Sequence, residues 1–94
     1  MNQNQETTIF VTCIIPNIKG LHARAAAKIV SLSSQFDCNM IVSHKNKSVS
    51  SLSLIKLLTL DAPKGSEITI SATGKQKECA IKKIQELILN GFGE

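Results

Sequence analysis

Apolar and polar positions along the chain repeat with two different periods, and their order predicts seven elements. From Thr8 to Ile15 the run TIFVTCII is rich in β-branched residues and stops at Pro16, which has no N–H for a sheet ladder, so it reads as a strand. Leu21 to Phe36 places Leu21, Ala25, Ala26, Ile29, Leu32 and Phe36 close to helical spacing, with Arg24, Lys28 and Gln35 left for the opposite face. Met40 to Ser43 and Lys47 to Val49 are short strands joined through Lys45 and Asn46, where Asn tolerates a positive φ. Ser53 is a favoured N-cap residue ahead of Leu54, Ile55, Leu57, Leu58 and Leu60, which predicts a two-turn helix broken by Asp61, Ala62 and Pro63. Glu67 to Ala72 alternates Ile68, Ile70 and Ala72 with polar residues, the pattern of a strand covered on one face. Gln76 to Leu89 carries Ala80, Ile81, Ile84, Leu87 and Ile88 at helical spacing and ends at Gly91 and Gly93.

The predicted order is β-α-β-β-α-β-α. Alternating strands and one-sided helices build two layers, an antiparallel sheet with helices on one face and the other face open, so the fold class is α+β. At 94 residues the chain has room for one core, and such a chain buries roughly 60 to 70% of its unfolded surface, enough to be stable without metal or disulfide. Residues 1–94 are expected to form a single domain, with 1–7 a flexible N-terminus.

Composition narrows the function. Eleven Lys and Arg against seven Asp and Glu give a formal net charge of +4. The charge is concentrated: Lys19, Arg24, Lys28, Lys45, Lys47, Lys56 and Lys64 face only Asp37 and Asp61 in the same stretch. A positive field there speeds encounter with acidic proteins or phosphorylated groups. Three Phe and no Tyr or Trp leave little from which to build a base-stacking platform, which argues against nucleic acid as a partner. Cys13, Cys38 and Cys79 are odd in number and far apart, without metal-ligand spacing, so they read as buried, inert thiols in a reducing compartment. The polar start lacks a secretory pattern, and no apolar run approaches the roughly 18 residues of a membrane span, so a cytoplasmic protein without membrane insertion is expected. No glycine spacing forms a nucleotide loop, and neither metal nor cofactor is expected.

Chemistry concentrates at Gly20-Leu21-His22-Ala23-Arg24-Ala25-Ala26-Ala27. His22 lies where a loop enters the first helix, beside unpaired backbone N–H groups and the positive end of the helix dipole, a natural seat for an anion. That end of a helix favours the neutral form of an imidazole, which keeps a ring nitrogen nucleophilic. Arg24 offers a planar guanidinium to phosphate oxygens. No second element supplies an obvious partner for His22. His44, among Lys45 and Lys47, reads as solvated, and the serines at 31, 33, 34, 48, 50 and 51 read as polar faces.

This octapeptide resembles the active-site signature of HPr, the histidine-containing phosphocarrier family of the bacterial phosphoenolpyruvate-dependent phosphotransferase system. The resemblance runs from about Thr8 to Phe92, and the predicted element order is that family's. It implies an open-faced β-sandwich, a four-stranded antiparallel sheet covered on one face by three helices. It also implies that His22 is phosphorylated through Nδ1, that Arg24 assists, and that the backbone amides of Ala23 and Arg24 orient the phosphate. The family takes its phosphoryl group from phosphorylated enzyme I and passes it to enzyme IIA domains, which would make this chain a shuttle and not a stand-alone catalyst. Ala25 stands where the family usually has Pro, which resembles the nitrogen-related carriers and some proteobacterial members, and fits a regulatory branch as well as sugar uptake.

Ser53 matches the regulatory serine that an HPr kinase/phosphorylase modifies in some bacteria. A phosphate there would sit at a helix N-terminus and put about −1.5 to −2 charges on a basic surface. The match also places Leu54 and Ile55 on a docking surface beside His22, with Arg24, Lys28 and Lys56 as a basic rim, while Leu57 and Leu58 read as core. Two functions are therefore carried forward: a phosphocarrier, expected to be a monomer, and a regulatory interaction module whose phosphorylation state controls partner binding.

Overall fold

The structure, a computed structural model, describes residues 7–94. The elements in order are β1 (Ile9–Ile14), α1 (Ala23–Ser33), β2 (Asn39–His44), β3 (Lys47–Ser50), α2 (Leu54–Leu58), β4 (Glu67–Thr73) and α3 (Lys77–Leu89), followed by a 3-10 turn at Gly91–Gly93. The strands form one antiparallel sheet in the order β1-β4-β2-β3. Its register sets Val11, Ile70, Val42 and Val49 in one row across all four strands. That row faces the helices, and α3 packs on β1 and β4 while α2 packs on β3 and α1. The next row, Phe10, Ser71, Ile41 and Ser50, lies on the open face. The α+β, open-faced β-sandwich follows from this alternation, because a one-residue step along a strand moves a side chain to the opposite face.

The core joins both layers: Ile29 of α1, Leu57 of α2, Ile84 and Ile88 of α3, and Phe92 beyond it are all fully buried against Val42, Ile68 and Ile70. Burying a side chain of this size contributes on the order of 1.5 to 3 kcal/mol each. The segment expected to be flexible, 1–7, lies outside the described residues except for Thr7, whose carbonyl oxygen accepts from Lys77 Nζ at 2.7 Å.

Several sequence expectations change on folding. His44 is not solvated: it is 7% exposed on the covered face of β2, and its Nδ1–H donates to Leu60 O at 2.9 Å. The left-handed turn residue of the β2–β3 hairpin is Lys45 (φ 55°) rather than Asn46. Ser33 and Ser51 are buried, not on polar faces, and their hydroxyls have no partner among the described residues. Of the three thiols only Cys13 is fully buried, and Cys79 is exposed because it points away from the sheet side of α3. Burial pushes the Cys13 and Cys38 thiols up from their ordinary pKa, Asp37 adding to the effect at Cys38. The helix expected to run two turns is five residues long, and so short a helix shows the core only one narrow stripe, which Leu57 takes, leaving Leu58 exposed.

Candidate functional site

The loop into α1 is shaped by its backbone. Gly20 has φ +64°, and a Cβ placed there would lie 2.5 Å from Ala62 O, so only glycine allows this approach. Leu21 N–H then donates to Ala62 O at 2.9 Å, and Leu21 buries its side chain. His22 follows as the N-cap of α1 in extended conformation (φ −89°, ψ −177°) and makes no side-chain cap bond.

The first intrahelical bond is Ala26 N–H to His22 O at 2.9 Å, so the N–H groups of Ala23, Arg24 and Ala25 lie ahead of the ladder. No acidic residue occupies the first turn of α1. These donors and the helix dipole make an anion seat beside the imidazole. Ala25 is fully buried and keeps an N–H that a Pro at this position would lack, so the expected departure at 25 leaves α1 intact and adds a donor to its start. The Arg24 side chain is exposed next to His22.

A partner for His22 exists after all, 72 residues away. Its Nε2 meets Oε2 of Glu94, a contact no local pattern could announce. Asn17 Nδ2 donates to Oε1 of the same carboxylate at 3.1 Å and to Gly20 O at 2.8 Å. The hydrogen bond from His22 holds the Glu94 carboxyl below its ordinary pKa, with smaller help from Asn17 and from the charges of His22 and Lys19, against some desolvation. The remaining ring nitrogen of His22 is Nδ1.

Ser53 caps α2: its Oγ accepts from Lys56 N–H at 3.3 Å, and its backbone oxygen accepts from Leu57 N–H at 2.9 Å. Leu52, Leu54, Ile55 and Leu58 are exposed together on and just before α2, which packs against α1. Lys56 is exposed beside them. Lys28 differs from its expected place in the rim, because its Nζ donates to Phe92 O and ties the 91–94 turn to α1. Among the described residues no group of His, Cys, Asp and Glu could hold a metal ion, and no helix is long and apolar enough to cross a membrane.

The family model PTS-HPr, described as the PTS HPr component phosphorylation site, matches residues 10–90. The chain belongs to the HPr family. It is 34% identical over 92 residues to phosphocarrier protein HPr of Chlamydia pneumoniae, spanning 98% of this chain and 85% of that protein. It is 36% identical over 88 residues to phosphocarrier protein NPr of Escherichia coli strain K12, spanning 93% and 98%. Among solved structures, HPr-C-His from Thermoanaerobacter tengcongensis superimposes with a TM-score of 0.87 at 38% identity, covering 92% of this chain and 97% of that one. An HPr-family chain with these relatives, the nitrogen-related branch included, is a phosphocarrier of the phosphotransferase system.

Proposed function

We propose that this HPr-family chain accepts a phosphoryl group from phosphorylated enzyme I on Nδ1 of His22 and passes it to enzyme IIA-type acceptors. The observation that carries this reading is the place of His22: an imidazole that makes no cap bond, at the start of a helix whose first N–H groups, Ala23 to Ala25, lie ahead of the intrahelical ladder and have no partner among the described residues. The Ala23 and Arg24 amides orient the phosphoryl group, and the exposed Arg24 guanidinium adds charge. The helix dipole contributes on the order of 0.3 to 2 kcal/mol, enough to poise the transfer without trapping the group. Leu54, Ile55 and Lys56 form the docking surface, on which a monomer of this size receives its partners in turn in the cytoplasm.

The experiment is intact mass after incubation with phosphoenolpyruvate and enzyme I, for wild type and His22→Ala. One acid-labile phosphoryl group, absent from the variant, is the expected result. No modification, with an enzyme I active on its own carrier, would overturn it.

The exposed leucines and Ile55 around α2 favour a second reading, a regulatory module read by its partners through its phosphorylation state. His22→Ala separates the two, since a docking module keeps partner binding without His22. Ser53 is the regulatory position in this reading, and a kinase acting on it would have to take the hydroxyl from its capping bond to Lys56 N–H.

A further inference from the structure

We propose that Glu94 is a positioning residue for His22: its carboxylate accepts the Nε2–H, holds the ring in the tautomer whose electron pair is on Nδ1, and faces the positive charge the ring acquires on transfer. This role rests on the phosphocarrier reading for its transfer step.

Glu94 is held in place by the fold. Gly91, Phe92 and Gly93 all have positive φ (62°, 58° and 77°), so the chain after α3 curls left-handed and returns over the start of α1. An aromatic residue adopts that conformation only where packing compels it, and Phe92 is fully buried. Lys28 Nζ holds Phe92 O, and Glu94 N–H donates to Gly91 O at 3.1 Å. Asn17 Nδ2 then takes one carboxylate oxygen and leaves the other for His22. The Asn17 side chain is itself buried and braced on Gly20 O.

An ionised carboxylate only accepts hydrogen bonds, so the ring nitrogen facing it carries the proton. A neutral imidazole has one N–H, which leaves the electron pair on Nδ1. In the transfer step that pair forms a bond to phosphorus, the bond from phosphorus to the donor's leaving atom breaks, and its electrons return to the donor. The three phosphoryl oxygens move unchanged, Nε2 keeps its proton, and the His22 ring gains one positive charge opposite Glu94. The carboxylate lies on the Nε2 edge, across the ring from the phosphoryl group, so it meets the imidazolium and not the phosphate. Donation to an acceptor runs the same step in reverse.

The test compares the full chain with Glu94→Gln and Glu94→Ala in two measurements. In the first, long-range 1H–15N correlation spectra of the unphosphorylated protein, at a pH where the ring is neutral, read the His22 tautomer. Wild type and Glu94→Gln, whose side-chain carbonyl still accepts, are expected to show the Nε2–H form alone, and Glu94→Ala a mixture. In the second, the rate of phosphorylation by phosphoenolpyruvate and enzyme I is followed against carrier concentration. Glu94→Ala is expected to lose about tenfold in kcat with KM unchanged, the signature of an interaction made only in the transition state, and Glu94→Gln to fall between. Identical tautomers and rates in all three proteins would overturn the proposal. If wild type takes no phosphoryl group, the carrier reading fails, and the spectra alone decide whether Glu94 sets the tautomer.

Discussion

The Nδ1–H of His44 donates to the carbonyl oxygen of Leu60 at 2.9 Å, tying the end of β2 to the loop that follows α2. Two residues on, Ala62 O receives Leu21 N–H, so the segment before His22 leans on a loop that His44 anchors. His44→Ala leaves Leu60 O unpaired in a buried setting and is expected to cost about 1 to 3 kcal/mol. Urea unfolding measures it; a change near zero would mean that the bond contributes nothing.

Gly20→Ala meets two obstacles together. Its φ of +64° costs an L side chain about 1 to 3 kcal/mol, and the new Cβ would lie 2.5 Å from Ala62 O and 2.8 Å from Pro63 Cα, both backbone atoms that cannot swing aside. The variant is expected to lower the unfolding midpoint and also to slow phosphorylation, because the displaced loop carries His22. Gly65→Ala is the control, since a Cβ there meets nothing within 4 Å although φ is also positive; its loss should stay within the backbone cost alone.

Leu57 and Ile55 are two residues apart on α2, one fully buried and the other 72% exposed. Leu57→Ala is expected to lose about 2 to 5 kcal/mol of stability. Ile55→Ala should change stability by less than about 0.5 kcal/mol and instead raise KM for transfer to and from partner proteins. Unfolding curves and transfer kinetics on the same two variants would refute the docking surface if Ile55→Ala left KM untouched.

Glu94 predicts a pH dependence with a definite sign. Its folded-state pKa lies below the ordinary 4.5, chiefly through the bond from His22. The folded state therefore binds fewer protons than the unfolded one in that range, and the stability from Glu94 is present above the ordinary value and lost as pH falls through the lowered one. The groups facing it are His22, Asn17 and Lys19. The difference in urea midpoint between wild type and Glu94→Gln should shrink from about pH 5 to about pH 3, and a difference constant across that range would show that the carboxylate is not held.

Local patterns decided much of this protein. Every strand and helix from β1 to α3 was legible because alternation and helical spacing are properties of neighbours in sequence, and Ser53 was legible as a cap because its partner, Lys56, is three residues away. His22 at a helix start was legible for the same reason, with Gly20 before it and Ala25 to Ala27 after it. The HPr signature lies within those eight residues, so membership of the family also came from sequence. What tertiary structure alone decided involves pairs far apart in the chain. His44 looks solvated among lysines until the register of β2 turns it inward against Leu60, and Leu58 looks like core until α2 packs through Leu57. Glu94 looks like an ordinary charged residue until the left-handed turn at Phe92 brings it to His22. Sequence pattern reports which face of an element is apolar, but only the closing of the chain sets which side chains from separate elements share that space.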